Sequence, residues 1–230
     1  MKNIFLFIVS LFYISHCFAQ DTIERRNRLS DSVIERFSVL KSDKKTRVGL
    51  YRALFKRRTV VAAGNYNKDK KTGIWNFYDQ DGKLVETVNY DTNQITFEAP
   101  TSAAEDLSYA FDDPLKKADM ITRPIKIGGI YYGYIPYLTI FQLPFDTMGI
   151  NTDYFDGYVE LLISPLGRLA DYKVRIVSSL YKYDHTFNLD VSLFNEENRK
   201  FIPATINDRP VLSRVIIKCI VTPYGGIDFY

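Results

Sequence analysis

Apolar and polar side chains alternate every second residue over most of this chain, a period that predicts strands half-buried on one face. Tyr158–Ile163 is an apolar strand, and Ser164-Pro-Leu-Gly167 supplies a turn with Pro at its second position and Gly at its fourth. Beyond the turn, Tyr172, Val174 and Ile176 alternate with Asp171, Lys173 and Arg175, which predicts a hairpin with one wet side. The strongest strand signal closes the chain: in Ser213–Val221, Val215, Ile217, Cys219 and Val221 oppose Arg214, Ile216, Lys218 and Ile220.

Between that hairpin and the closing strand, Leu189–Lys200 can be wound as a helix, with Leu189 above Leu193 and a basic last turn at Arg199-Lys200. His185, Phe187, Leu189, Val191 and Leu193 also alternate, so a strand fits the same residues locally. The basic Glu196-Arg199-Lys200 end favours the helix.

The first part of the chain repeats glycine followed two residues later by a large aromatic, in Gly49-Leu-Tyr51, Gly64-Asn-Tyr66 and Gly73-Ile-Trp75. The first and third copies lie 24 residues apart, the mark of a structural repeat. In the fullest copy Trp75 and Phe77 alternate, Asp81-Gly82 forms a turn, and Leu84, Glu86 and Val88 return, so each unit reads as a hairpin that must stack on a neighbour. Val33–Leu40 adds an opening strand, and Trp75 reads as a core aromatic rather than an exposed recognition residue. Residues 99–119 break the rhythm as a linker, with a helical turn at Asp106–Asp112. The expected organisation is a signal peptide at 1–19, a hairpin-repeat domain at 20–98, the linker, and a second domain at 120–230, opened by a strand-like lead-in through Tyr134 and Pro136–Pro144.

Lys2, an apolar run from Ile4 to Ile14, and small residues Cys17 and Ala19 before Gln20 form a secretory signal with cleavage between Ala19 and Gln20. An uncleaved anchor is the alternative, although that run spans only ~16 Å as a helix against a ~30 Å hydrocarbon core. Acylation of Cys17 is a further one, with His16 out of place for it. Cleavage leaves Cys219 alone, so no disulfide framework accompanies export, and its place on an apolar face predicts a packing role.

Lysine and arginine number 30 against 27 acidic residues, and this small excess is broken up along the chain rather than gathered into the basic face that nucleic-acid binding needs. Aromatic residues reach 15%, which suits cross-strand pairing in half-exposed sheets.

Catalytic chemistry has little to stand on. His185 is the one histidine of the mature chain; Asp184 adjoins it, but no serine lies on a nucleophile elbow, and Ser164 precedes a proline. His185 therefore reads as a solvent-facing loop residue. Asp153 with Asp156, and Glu196 with Glu197, sit in polar contexts rather than an apolar pocket. Gly128-Gly129 and Gly225-Gly226 lack the strand-to-helix setting of a phosphate loop, and no ligand spacing calls for a metal. The expectation is a non-enzyme with no cofactor and no nucleic-acid partner.

The order Gly157-Tyr-Val-Glu, Gly167, Val174, Leu189-Asp190, Phe201-Ile-Pro203-Ala204, Asn207, Pro210-Val211 and Val215-Ile-Ile resembles the C-terminal domain of TonB-type energy transducers. Residues 64–90 resemble the MORN-repeat variant of exported and antitoxin-like bacterial proteins. The resemblances imply an α+β protein: an antiparallel β-hairpin repeat, then a small domain with a three-stranded antiparallel sheet and one or two helices. They also imply capture of an extended, TonB-box-like peptide on the last strand, and strand physics agrees, because a bare edge offers unpaired N–H and C=O groups. The expected docking edge is Ser213, Arg214, Val215, Ile216, Ile217, Lys218, Cys219 and Ile220, with Arg214 and Lys218 favouring acidic flanks. The expected partner is an outer-membrane transporter or another envelope protein, met in the periplasm. A genuine transducer with an uncleaved inner-membrane anchor is the alternative; against it, the chain has no long Pro-rich spacer, Phe201 stands where the family has tryptophan, and Asp208-Arg209 replaces Asn-Gly.

Overall fold

The computed structural model describes residues 21–100, 106–144 and 150–229. The expected signal segment and its Ala19–Gln20 junction lie outside the described residues.

Seven strands follow one another in a single antiparallel meander: β1 (Thr22–Arg28), β2 (Val33–Leu40), β3 (Arg47–Phe55), β4 (Thr59–Asn67), β5 (Lys70–Tyr78), β6 (Leu84–Asn89) and β7 (Gln94–Glu98). In β2 the alternation reads directly as burial: Val33, Glu35, Phe37 and Val39 point inward. Glu35 is tolerated there because Arg47 reaches it at 3.1 Å and Asn27 donates to it at 2.9 Å.

The repeated glycines have two distinct structural causes. Gly49 (φ 69°) and Gly73 (φ 62°) stand at irregularities where β3 and β5 carry extra residues opposite their partners. Each is followed by an exposed residue, Leu50 or Ile74, and then by a fully buried aromatic, Tyr51 or Trp75. The 24-residue spacing is thus a repeat of backbone geometry, a bulge that only glycine enters without strain. Gly64 is different, because the Trp75 ring lies across it and leaves no room for a Cβ.

The α+β expectation is overturned: strand makes up 53% and helix 7%, so the protein is mainly β. In place of a three-stranded domain, the second sheet has six strands. These are β8 (Leu107–Phe111), β10 (Asp156–Ile163), β11 (Leu169–Ser178), β12 (Tyr183–Leu189), β15 (Ser213–Val221) and β16 (Ile227–Asp228), and the order runs β12-β11-β10-β15-β16 with β8 also beside β15. A third, three-stranded sheet joins β9 (Ile121–Thr122), β13 (Thr205–Ile206) and β14 (Arg209–Pro210). Its hairpin turns at Asn207 (φ 51°) and Asp208 (φ 62°), the left-handed pair that a two-residue turn requires.

Two local departures account for the difference, and a third runs the other way. Asp106–Asp112 holds β8 instead of a helical turn, with Leu107 buried beneath the sheet. Leu189–Lys200 forms no α-helix: Leu189 ends β12, Asp190 accepts from the Ser192 N–H at 2.8 Å, and only Val191–Leu193 makes a single 3₁₀ turn. A capping aspartate there satisfies the backbone without helical propagation, while Phe187 packs on Phe141 as a strand residue. The lead-in is helical rather than strand-like, with a 3₁₀ turn at Tyr132–Tyr134 running into α1 (Ile135–Thr139).

That lead-in joins the two sheets. Tyr131 and Ile135 enter the core of the first, whereas Tyr134, Tyr137, Leu138 and Phe141 enter the core of the second. The Tyr172 hydroxyl donates to the Tyr137 carbonyl and the Tyr137 hydroxyl to the Asn198 carbonyl, so the helix is held from both ends of the second core. Cys219 is fully buried and free, filling space on the apolar face of β15.

Candidate functional site

The eight residues expected to dock a peptide lie in the interior of a sheet. On one side β15 pairs with β10 from Ser213 to Ile220. On the other, Ser213–Ile217 pair with Phe111–Leu107 of β8, the Lys218 N–H donates to the Asp106 carbonyl at 2.8 Å, and Ile220 pairs with Asp228 of β16. Two basic residues expected to attract acidic flanks are engaged within the chain: Arg214 binds Asp112 and, at 3.0 Å, Glu160, while Lys218 lies 3.9 Å from Asp156. The three-stranded arrangement that put β15 at an edge fails because β8 comes from the stretch read as a linker.

The sheet's open flank is β12, whose outer side carries no strand among the described residues. Its sequence Tyr-Asp-His-Thr-Phe-Asn-Leu holds one formal charge, Asp184, and Arg175 neutralises it in a bidentate pair at 2.9 and 2.6 Å. Tyr183, Phe187 and Leu189 are half-buried along one face, and Tyr181 and Leu193 stand exposed at its two ends. Other edges are better guarded. β1 carries Glu24, Arg25, Arg26 and Arg28; β7 is only five residues long and ends in a Glu98–Arg123 ion pair; β8 runs out into Asp112-Asp113-Pro114.

His185 sits on this edge strand, not in a loop, with its ring 4.5 Å from that of Phe187. Successive strand residues point to opposite faces, so Asp184 turns away to Arg175 and the two do not form a catalytic pair. Glu196 and Glu197 likewise separate, the first to Arg168 and the second to Lys71.

Sequence reasoning missed a second feature, a cleft between the sheets. One cavity of about 480 Å³ is lined by Tyr66, Lys70, Lys71, Tyr90, Lys126 and Lys200 among others. Lys126 is only 5% exposed, and its Nζ donates to the carbonyls of Glu197 and Lys200 at 2.7 and 3.1 Å. Burial, helped by Lys71, brings its pKa down to about 8. Lys71 lies over the rings of Trp75 and Tyr90 and binds the Glu197 carboxylate at 2.6 Å. Burial opposes the charge on Glu197, but Lys71, Lys126 and Lys200 hold its carboxyl below the ordinary range. No spacing in the sequence marks this group, because its members come from four separate segments.

A neighbouring buried acid belongs to the frame. Glu86 in β6 accepts the Gly128 N–H at 2.9 Å, so the Gly128-Gly129 turn holds an internal carboxylate. Burial pushes the Glu86 pKa up to about 7.

A scan against protein-family models finds no match to this chain, and neither curated proteins nor solved structures yield one.

Proposed function

We propose that this protein is a non-catalytic, exported protein of the cell envelope that holds a protein partner by adding an extended segment of it to β12. The flank of β12 carries the reading, since among the described residues no strand pairs with it and its single charge is already neutralised inside the chain. Each main-chain hydrogen bond gained contributes ~1 kcal/mol net, so a handful of pairs plus contacts on Tyr183, Phe187 and Leu189 gives useful affinity. The partner segment is extended, uncharged at its centre and apolar at alternate positions. The resemblance of Gly157–Val221 to transducer domains supplies the partner class, an outer-membrane transporter or another envelope protein.

β15 accepts β8 in the manner proposed for a partner on β12: a five-residue antiparallel segment completes the sheet's other flank. Lysines introduced on an edge strand block such pairing without touching the core. The Thr186→Lys, Asn188→Lys double variant should fold as wild type and lose capture of the crosslinked envelope partner, while Thr186→Val keeps it. Undiminished capture by the double lysine variant defeats the proposal.

A further inference from the structure

The cleft between the sheets has the composition of a small-molecule site independent of β12. Lys70, Lys71, Lys126 and Lys200 line it together with Asp69 and Glu197, leaving two positive charges in excess. Tyr66, Tyr90 and Ile127 supply apolar walls, and a second cavity of about 300 Å³ that reaches Arg47 and Tyr132 shares Tyr66, Lys71, Lys126, Ile127 and Glu197 with it. The combined size is that of an ordinary ligand pocket.

Two further observations point to an anion. A carboxylate of the chain itself, that of Glu197, already occupies part of the cleft on Lys71 and thereby displays the chemistry the lysines accept. Lys70 and Lys200 are exposed with no carboxylate within ion-pair distance among the described residues; Lys200 acts on Glu197 only from farther off, so both can take a second charge. Moreover, the turn that presents Lys70 and Lys71 is strained. Lys68 (φ 48°) and Asp69 (φ 65°) both adopt the left-handed region that favours glycine or asparagine. The turn is fastened from β3, where the Arg47 N–H donates to Asp69 Oδ1 at 2.7 Å and the Asp69 N–H donates to the Arg47 carbonyl at 3.0 Å.

We propose that this cleft binds a small dianion borne on a planar apolar body, either an aromatic phosphate or an aromatic dicarboxylate, with its ring against the Tyr66 and Tyr90 walls and its charges on Lys70, Lys71 and Lys200. Lys126 is a positioning residue: its ammonium ties the Glu197–Lys200 turn to the lead-in, and so sets the width of the cleft. Glu197 is the resident competitor for Lys71.

The test is a titration of the full mature chain with phenyl phosphate, isophthalate, benzoate and inorganic phosphate, followed by calorimetry and by the emission of Trp75, the single tryptophan. Trp75 lies 5.7 Å from Tyr90 by ring centroids and so reports on the cleft. Saturable binding of phenyl phosphate or isophthalate, tighter than that of benzoate or inorganic phosphate, is expected, and whichever of the two binds more tightly identifies the anion. Exposed charges act modestly, so Lys70→Ala and Lys200→Ala should each weaken binding about two- to fivefold, and the effect should shrink with added salt. Glu197→Gln should tighten it by a similar factor, an outcome that a purely structural Glu197 would not give. The proposal is overturned if no probe saturates either wild type or Glu197→Gln, if the lysine variants bind as wild type does, or if Glu197→Gln fails to tighten binding.

Discussion

The Trp75 indole lies across the Cα of Gly64, and a Cβ built there would overlap Cδ2, Cε2 and Cγ of the ring. The same indole donates its N–H to the Asn65 carbonyl at 3.2 Å and packs among Tyr51, Tyr66, Phe77 and Tyr90. It cannot retreat, because every side of the ring is occupied. Gly64→Ala should therefore cost about 2–3 kcal/mol by overpacking. Gly49→Ala meets no atom within 4 Å and should cost only the left-handed backbone term, about 1–2 kcal/mol. Urea unfolding followed by Trp75 emission distinguishes them, and equal losses would refute the packing account.

Glu86 makes stability depend on pH in a defined direction. Its pKa rises from 4.5 to about 7 on folding, mainly through burial. The folded state therefore holds a proton that the unfolded state releases, and this contribution to stability fades as pH climbs from about 4.5 to about 7. Glu86→Gln keeps an acceptor for the Gly128 N–H and removes the titration. Relative to wild type, the glutamine variant should gain roughly 3 kcal/mol between pH 4 and pH 8, read from urea midpoints. A pH-independent difference between the two proteins would exclude Glu86 as the source.

Asp228 fastens the end of the chain to the first sheet, accepting from the Ser32 hydroxyl at 2.7 Å while Phe229 packs 4.6 Å from Tyr131 by ring centroids. Removing the acceptor costs the buried Ser30 hydroxyl and the half-buried Ser32 hydroxyl their shared carboxylate partner. Asp228→Ala should cost about 1–2 kcal/mol, and Asp228→Asn, which keeps an oxygen there, less than half of that. Hydrogen exchange at Ile227 and Val221 should speed up in the alanine variant; unchanged protection would mean the tail is held by Phe229 alone.

Much of the strand content was legible in the sequence because a one-sided sheet writes its burial as alternation: Val159, Leu161 and Ile163 are buried between partly exposed Tyr158, Glu160 and Leu162. The Ser164–Gly167 turn was legible too, and the structure adds its reason. A Cβ on Gly167 would collide with the Phe201 carbonyl. Pairing partners were not legible. β8 sits about a hundred residues before β15, and its Leu-Ser-Tyr-Ala-Phe pattern is too short to outweigh the Asp-rich stretch around it. The same holds for the cleft: Lys71, Lys126 and Glu197 meet only once both sheets have packed on the lead-in. At Leu189–Lys200 a strand period fitted locally while the basic end favoured a helix, and Asp190 decided against the helix by capping a single turn.

Site-specific photocrosslinking in cells shows which strand receives the partner. A photoreactive residue at Asp184, Thr186 or Asn188 should trap one extended segment of one envelope protein, while the same residue at Arg214, Ile216 or Lys218 traps none. Crosslinks from β15 with β12 silent, together with loss of exchange protection in β8, would contradict the account and show that a partner replaces β8 instead.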